Sequence, residues 1–174
     1  MVFKSLKTLF AEDQKDRISG IDYKIIIKND RRRKELANIF LKNKEKLTPE
    51  EIYYAAIFFH HSTNNNDVRK ARGLALLNIK RGELLKKENK WVEKSKWLFA
   101  ATTDRLLIRE RKLQKYGTQF HQKSIDSPRE LFDYDKSTTD KERVALFVPT
   151  LKQTLRNLKK MDEEQQKIKN GKRK

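Results

Sequence analysis

The sequence predicts an all-α fold: one compact multi-helix domain of antiparallel helix pairs over residues 1–160, with a disordered basic C-terminal tail over 161–174. Three observations predict it. Four segments carry the signature of a helix N-terminus, in which a hydroxyl residue is followed three positions later by Glu or Gln. Glycine and proline number only 5 and 3, and most sit where helices should start or stop. Apolar residues recur at three- and four-residue spacing through most of the remaining chain.

A first helix is expected over residues 5–18. Ile25, Ile26 and Ile27 form a β-branched run, the one place where a short strand fits, and a second helix follows over 30–43 with Leu36, Ile39 and Phe40 inward. Thr48-Pro49-Glu50-Glu51 combines a capping hydroxyl, Pro at the first helical position and Glu at the third, so a helix starts there and runs through Tyr53, Ala56 and Phe59. The polar run Ser62-Thr63-Asn64-Asn65-Asn66 predicts a loop. Asp67 then caps a helix carrying Val68, Ala71, Ala75 and Ile79, which Gly82 closes in the left-handed conformation. Gly73, inside it, predicts a close helix contact.

Residues 91–112 carry a stripe of Trp97, Ala101, Asp104 and Ile108, which sets Asp104 on the apolar face. A loop is expected over 116–127. Three further capping signatures, Ser127-Pro128-Arg129-Glu130, Thr139-Asp140-Lys141-Glu142 and Thr150-Leu151-Lys152-Gln153, predict three more helix starts. Beyond Met161 only Ile168 is apolar, hence the expectation of a frayed tail.

Composition narrows function. No apolar run approaches the roughly 20 residues that a membrane-spanning helix needs, so no membrane partner is expected. The first ten residues alternate Lys with Phe and Leu, unlike a secretory signal. With no cysteine, disulfides, thiolate nucleophiles and Cys-ligated metals are excluded, and a reducing, cytoplasmic setting is expected. Phosphate-loop, dinucleotide-binding and nucleophile-elbow motifs are all missing, which removes P-loop ATPase, Rossmann dehydrogenase and α/β-hydrolase readings. His60, His61 and His121 match no zinc spacing, so neither metal nor cofactor is assigned.

The net charge of +18, from 42 Lys and Arg against 24 Asp and Glu, is unevenly spread. Residues 1–68 carry +3, 69–115 carry +10, 116–151 carry −1 and 152–174 carry +6. Such clustering points to an anionic partner, nucleic acid or another polyanion and most plausibly RNA. Lys86, Lys87, Lys90, Lys94, Lys96, Arg109, Arg111, Lys112 and Lys115 would meet phosphates, and Trp91 or Tyr116 would stack on an unpaired base.

A second reading is a small cofactor-independent hydrolase or transferase for an anionic substrate. Asp13 and Arg17 lie one helical turn apart, with Asp16 beside them. His61 stands at the loop mouth as the general acid–base, whereas His60, pointing roughly 100° away, is structural. Asp104, an acid on an apolar face, must be paired or hydrogen-bonded if buried, and is assigned to orient His61. Arg105 or Arg17 would clamp the anion. Gln119 and the Gly117 turn, whose backbone N–H groups suit an anion cradle, would support it. A third reading is an interaction protein in which these polar groups only brace the helices.

Taken in order, Glu12-Asp13-Gln14 with Asp16-Arg17, Asn29-Asp30 before Arg31 to Arg33, Ala55-Ala56 leading to His60-His61, Trp97-Leu98 leading to Asp104-Arg105, and Gln114-Lys115-Tyr116-Gly117-Thr118-Gln119 resemble a family of small bacterial and fungal proteins classed as a domain of unknown function. The resemblance covers about residues 11–151. This chain differs in carrying His60 in place of Gln, Ser62 in place of Gly, and a Lys-rich insertion around 84–96. The resemblance implies a helical fold and a polar site in which Asp13, Arg17, His61, Asp104, Arg105 and Gln119 converge; it supplies no reaction.

Overall fold

A computed structural model describes residues 4–85, 89–124 and 126–171. Seven α-helices and one two-stranded hairpin are found among them, as the all-α expectation requires. The chain divides into two compact units, Met1–Thr102 and Thr103–Lys174. No helix among the described residues is long and apolar enough to cross a membrane.

In the first unit, α1 (Leu6–Ile18) is capped by Ser5, whose hydroxyl accepts the Thr8 amide. Helix α2 (Tyr23–Phe40) begins seven residues before the expected start, because Asp22 caps it by accepting the Lys24 amide at 2.7 Å. The three isoleucines are therefore helical, and no strand forms there. The buried face of α2 is Arg33 and Ala37, while Ile39 lies half-exposed. A 3₁₀ turn over Leu41–Lys46 follows.

Helix α3 (Pro49–His60) starts at the Thr48–Glu51 capping box. Every residue from Ile52 to His60 is buried, as a helix apolar on all sides must be, so α3 is the axis around which α1, α2 and α4 pack. Helix α4 (Asn65–Leu84) is capped by Asn64, not Asp67. Asp67 is instead committed to Lys34 at 2.6 Å.

Both glycine expectations on α4 change. Gly82 is helical rather than terminal, and a Cβ there would lie 2.7 Å from Val92 Cγ2. It is the residue that allows close approach. Gly73 faces open space, so no helix packs on it.

Helix α5 (Lys90–Arg109) contributes residues 90–102 to the first unit and 103–109 to the second. Leu98, Ala101 and Asp104 are fully buried, whereas Trp97, expected inward, is 38% exposed. Its end is a Schellman turn: the Lys112 amide reaches Leu107 O at 2.9 Å, and Arg111 is left-handed at φ 59°.

In the second unit, β1 (Phe120–Gln122) and β2 (Arg129–Leu131) pair antiparallel with His121 opposite Glu130. The helix expected from Ser127 does not form. The Ser127 hydroxyl donates to Ser124 O at 2.9 Å, and Arg129 is drawn to Asp162 through both its amide (3.0 Å) and its guanidinium (2.6 Å). The remaining signatures hold: Thr139 and Glu142 box the start of α6 (Asp140–Ala145), and Thr150 with Gln153 opens α7 (Leu151–Gly171). The expected frayed tail is likewise replaced by helix through Gly171. Leu158 is buried and Asp162 is held by Arg129, while residues 161–168 are mostly good helix formers.

Candidate active site

Three elements of the first unit bring charged side chains to one place. Turns of α1 present Asp13, Asp16 and Arg17, one face of α2 presents Asp30 and Arg33, and α3 ends with His61 as its C-cap residue. Asp13 is completely buried, as is Arg33 to within 1%. Arg17 and His61 keep side-chain exposures of 29% and 19%.

The Arg17 Nη2 atom stands at the centre. It lies 3.0 Å from Asp13 Oδ1, 2.9 Å from Asp30 Oδ2, and in contact with His61 Nδ1. Arg33 binds Asp30 Oδ1 at 3.0 Å through Nη1 and Asp16 through Nη2. Gln14 donates to the remaining oxygen of Asp13 at 2.8 Å, and Asn29 donates at 3.0 Å to Asp16 Oδ2, the oxygen that Arg33 also binds.

His61 Nδ1 lies 3.2 Å from Asp13 Oδ1 and in contact with Arg17 Nη2, so it donates to the carboxylate or accepts from the guanidinium according to its tautomer. Nε2 makes no hydrogen bond to any described residue and is not among the buried polar atoms. A buried acid beside Nδ1 and an accessible Nε2 hold the imidazole in one orientation with one ring nitrogen open to a ligand.

The electrostatics are internally balanced. Burial pushes the Asp13 carboxyl up, but His61 and Arg17 outweigh it, leaving the group below its ordinary range. Burial likewise opposes ionisation of Arg17, and Asp30 and Asp13 more than restore it. Three carboxylates (Asp13, Asp16, Asp30) face two guanidiniums (Arg17, Arg33).

Ligand atoms of Asp13, Asp30 and His61 lie within 4.8 Å of one another, close enough to share a metal ion. Arg17 Nη2 touches all three, so the guanidinium holds that position. Beside them, Lys34 and the Ser62 hydroxyl both bind Asp67, at 2.6 and 2.7 Å, and this fixes the loop that follows His61.

Asp104 belongs to a different network, within the second unit. It is fully buried, as the sequence required of a partnered acid. Its Oδ1 accepts the amides of Lys115 (2.7 Å) and Tyr116 (2.9 Å), and its Oδ2 accepts the Thr118 amide (2.9 Å) and hydroxyl (2.8 Å). Gly117, left-handed at φ 73°, makes the turn possible. The backbone cradle expected of this turn is real, and the anion it holds is Asp104.

Gln119 closes the same loop. Its amide donates to Gln114 Oε1 at 2.9 Å and its Nε2 to Thr118 Oγ1 at 3.1 Å. Arg105 is half-buried, and burial together with the Arg109 charge pulls its pKa down.

Of the six residues expected to converge, Asp13, Arg17 and His61 meet within the first unit, while within the second Asp104 and Gln119 are linked through the Thr118 hydroxyl. The carboxylate that orients His61 is Asp13, not Asp104. Asp30 and Arg33 complete the site without having been singled out as site residues. Their i,i+3 spacing was the available signal, obscured by the expectation that the helix begins at Asp30.

The nine basic candidates are also divided. Lys90, Lys94 and Lys96 lie on the first-unit part of α5. Arg109 and Arg111 are exposed at its end, Lys112 pairs with Glu110 at 2.9 Å, and Lys115 is 3.9 Å from Glu142. Lys86 and Lys87 lie outside the described residues. Compared with protein-family models, curated proteins and solved structures, the chain matches none.

Proposed function

We propose that the first unit carries a hydrolytic or group-transfer site in which His61 is the general base, Asp13 orients it, and Arg17 binds the anionic part of the substrate. One observation carries this reading: His61 Nδ1 lies 3.2 Å from a buried carboxylate while Nε2 is accessible. In such a pair the carboxylate fixes the tautomer and stabilises the imidazolium that forms, a contribution of about 10²–10⁴ in rate for general-base catalysis.

The chemistry balances with water or a substrate hydroxyl as nucleophile. Nε2 takes its proton as the oxygen attacks the electrophilic centre, and the imidazolium returns that proton to the leaving group as the old bond breaks. Arg17 meets the described carboxylates only through Nη2. Its Nε and Nη1 hydrogens engage no described residue and stand available to an oxyanion.

The test is a panel of carboxylic esters, phosphomonoesters and phosphodiesters hydrolysed by the full chain. His61→Asn and Arg17→Met, each with an unchanged circular dichroism spectrum, should lower kcat/KM on the best substrate by at least about 10²-fold. Turnover that His61→Asn leaves intact, or no turnover of any member of the panel, rejects the reading.

A further inference from the structure

We propose a second, independent binding surface: Trp91 with Lys90 and Lys94 forms a platform for single-stranded nucleic acid, on which a base stacks against the indole and phosphates meet the two ammonium groups. It does not rest on the His61 reading.

The platform is rigid from beneath. Phe10 stacks on Tyr54 with centroids 4.2 Å apart, and Tyr54 and Tyr53 pack against Trp91 at 5.1 and 5.5 Å. The indole is thereby fixed before any ligand arrives. Trp91 is half-buried, and its indole N–H is neither buried nor bonded to a described acceptor.

Two cations stand beside it. Lys90 Nζ lies 5.0 Å and Lys94 Nζ 4.7 Å from the Trp91 ring centre, and Lys94 also reaches to 5.8 Å from Tyr53. Neither forms an ion pair with a described carboxylate, in contrast to Lys34, Lys112 and Lys115. Both are exposed.

An exposed cation–π contact is worth only about 0.5–1 kcal/mol, so each lysine is held near the ring without being spent there. A phosphate draws it away, and the ring face it uncovers is the one a base occupies. A π-face flanked by two cations that pair with no described carboxylate matches a ligand that carries aromatic planes and anionic charge at regular intervals. An acidic peptide supplies the charge without the plane, and a duplex hides its planes in the stack.

The experiment titrates the full chain with a labelled single-stranded oligonucleotide from about 50 to about 200 mM salt, read by anisotropy. The Lys90→Gln/Lys94→Gln variant should bind roughly tenfold more weakly and lower the slope of log K against log salt by about 1.4, the value for two single-strand phosphate contacts. In Trp97→Phe protein, where Trp91 is the sole tryptophan, the oligonucleotide should quench the emission. If Trp97→Phe does not fold, loss of quenching in Trp91→Phe replaces this arm.

Unchanged affinity in the lysine variant, or binding without a Trp91 signal, overturns the proposal. So does equal binding of duplex, polyglutamate or anionic vesicles, each lost with the same two lysines. None of these substitutions touches His61, Asp13 or Arg17, so failure here leaves the hydrolytic reading standing, and the reverse.

Discussion

His61 meets Asp13, 48 positions earlier in the chain, through a single 3.2 Å contact from its Nδ1 to a carboxylate oxygen with no solvent exposure. The free Nε2 that results predicts selective chemistry. Diethyl pyrocarbonate acylates unprotonated, accessible imidazole nitrogens, and His60 is buried. Peptide mapping after limited modification near neutral pH should find His61 acylated well ahead of His60. In Asp13→Asn the carboxylate acceptor is lost, and nitrogen-15 correlation spectra should show His61 moving from the Nδ1–H form toward a tautomer mixture. A wild-type spectrum already dominated by the Nε2–H form would refute the role of Asp13 as acceptor of an Nδ1 proton.

Asp104 is a structural acid, and its removal should separate stability from chemistry. Its two oxygens satisfy three backbone amides and one hydroxyl of residues 115–118. An asparagine keeps one acceptor oxygen and turns an N–H₂ toward donors that have no other partner. Asp104→Asn should therefore cost about 2–4 kcal/mol in denaturant unfolding. His61→Asn, at a partly exposed position, should cost under about 1 kcal/mol. A change at Asp104 that leaves unfolding untouched would contradict this assignment.

How far the sequence reached depends on the range of the interaction. Thr48, Thr139 and Thr150 were legible as helix starts because donor and acceptor lie within three residues. The same grammar failed at Ser127, where Arg129 answers to Asp162, 33 residues away. The pair Asp13–Arg17 is local to α1 and was legible, and so was the exposure of His61 at the end of an apolar helix. Asp30 and Arg33 were not, because their role depends on α2 starting at Tyr23. Asp104 announced its need for partners by sitting in an apolar stripe. The identity of those partners stayed hidden, since the amides of Lys115 and Tyr116 carry no side-chain signature.

Two glycines on one helix should respond oppositely to the same substitution. Gly73 is helical and faces open space, so Gly73→Ala removes backbone freedom from the unfolded chain and should raise stability by about 0.5–1 kcal/mol. At Gly82 the added methyl meets Val92 Cγ2 at 2.7 Å and Cγ1 at 2.8 Å. Overpacking of that kind costs about 1–3 kcal/mol, which exceeds the gain in propensity, so Gly82→Ala should lower the urea midpoint. Combining Gly82→Ala with Val92→Ala should return part of the loss, since the two closest atoms, Cγ1 and Cγ2 of Val92, are then removed.

Acid should unfold the first unit by a route its carboxylates set. Asp13, Asp16 and Asp67 all lie below the ordinary aspartate value of 3.8 in the folded chain. In each, burial works against ionisation and is outweighed: by His61 and Arg17 at Asp13, by Arg33 and Asn29 at Asp16, and by Lys34 and Ser62 at Asp67. A folded pKa below the unfolded one means that the unfolded chain binds protons first as pH drops. The stabilisation is complete above about pH 4 and disappears as pH falls through the folded values. Urea midpoints should accordingly be nearly level from about pH 7 to about pH 5 and descend below about pH 4. Asp16→Asn should flatten that descent while lowering the plateau, because Arg33 then loses a charged partner. A midpoint that falls mainly between about pH 7 and pH 5 would shift the controlling proton from these aspartates to a histidine.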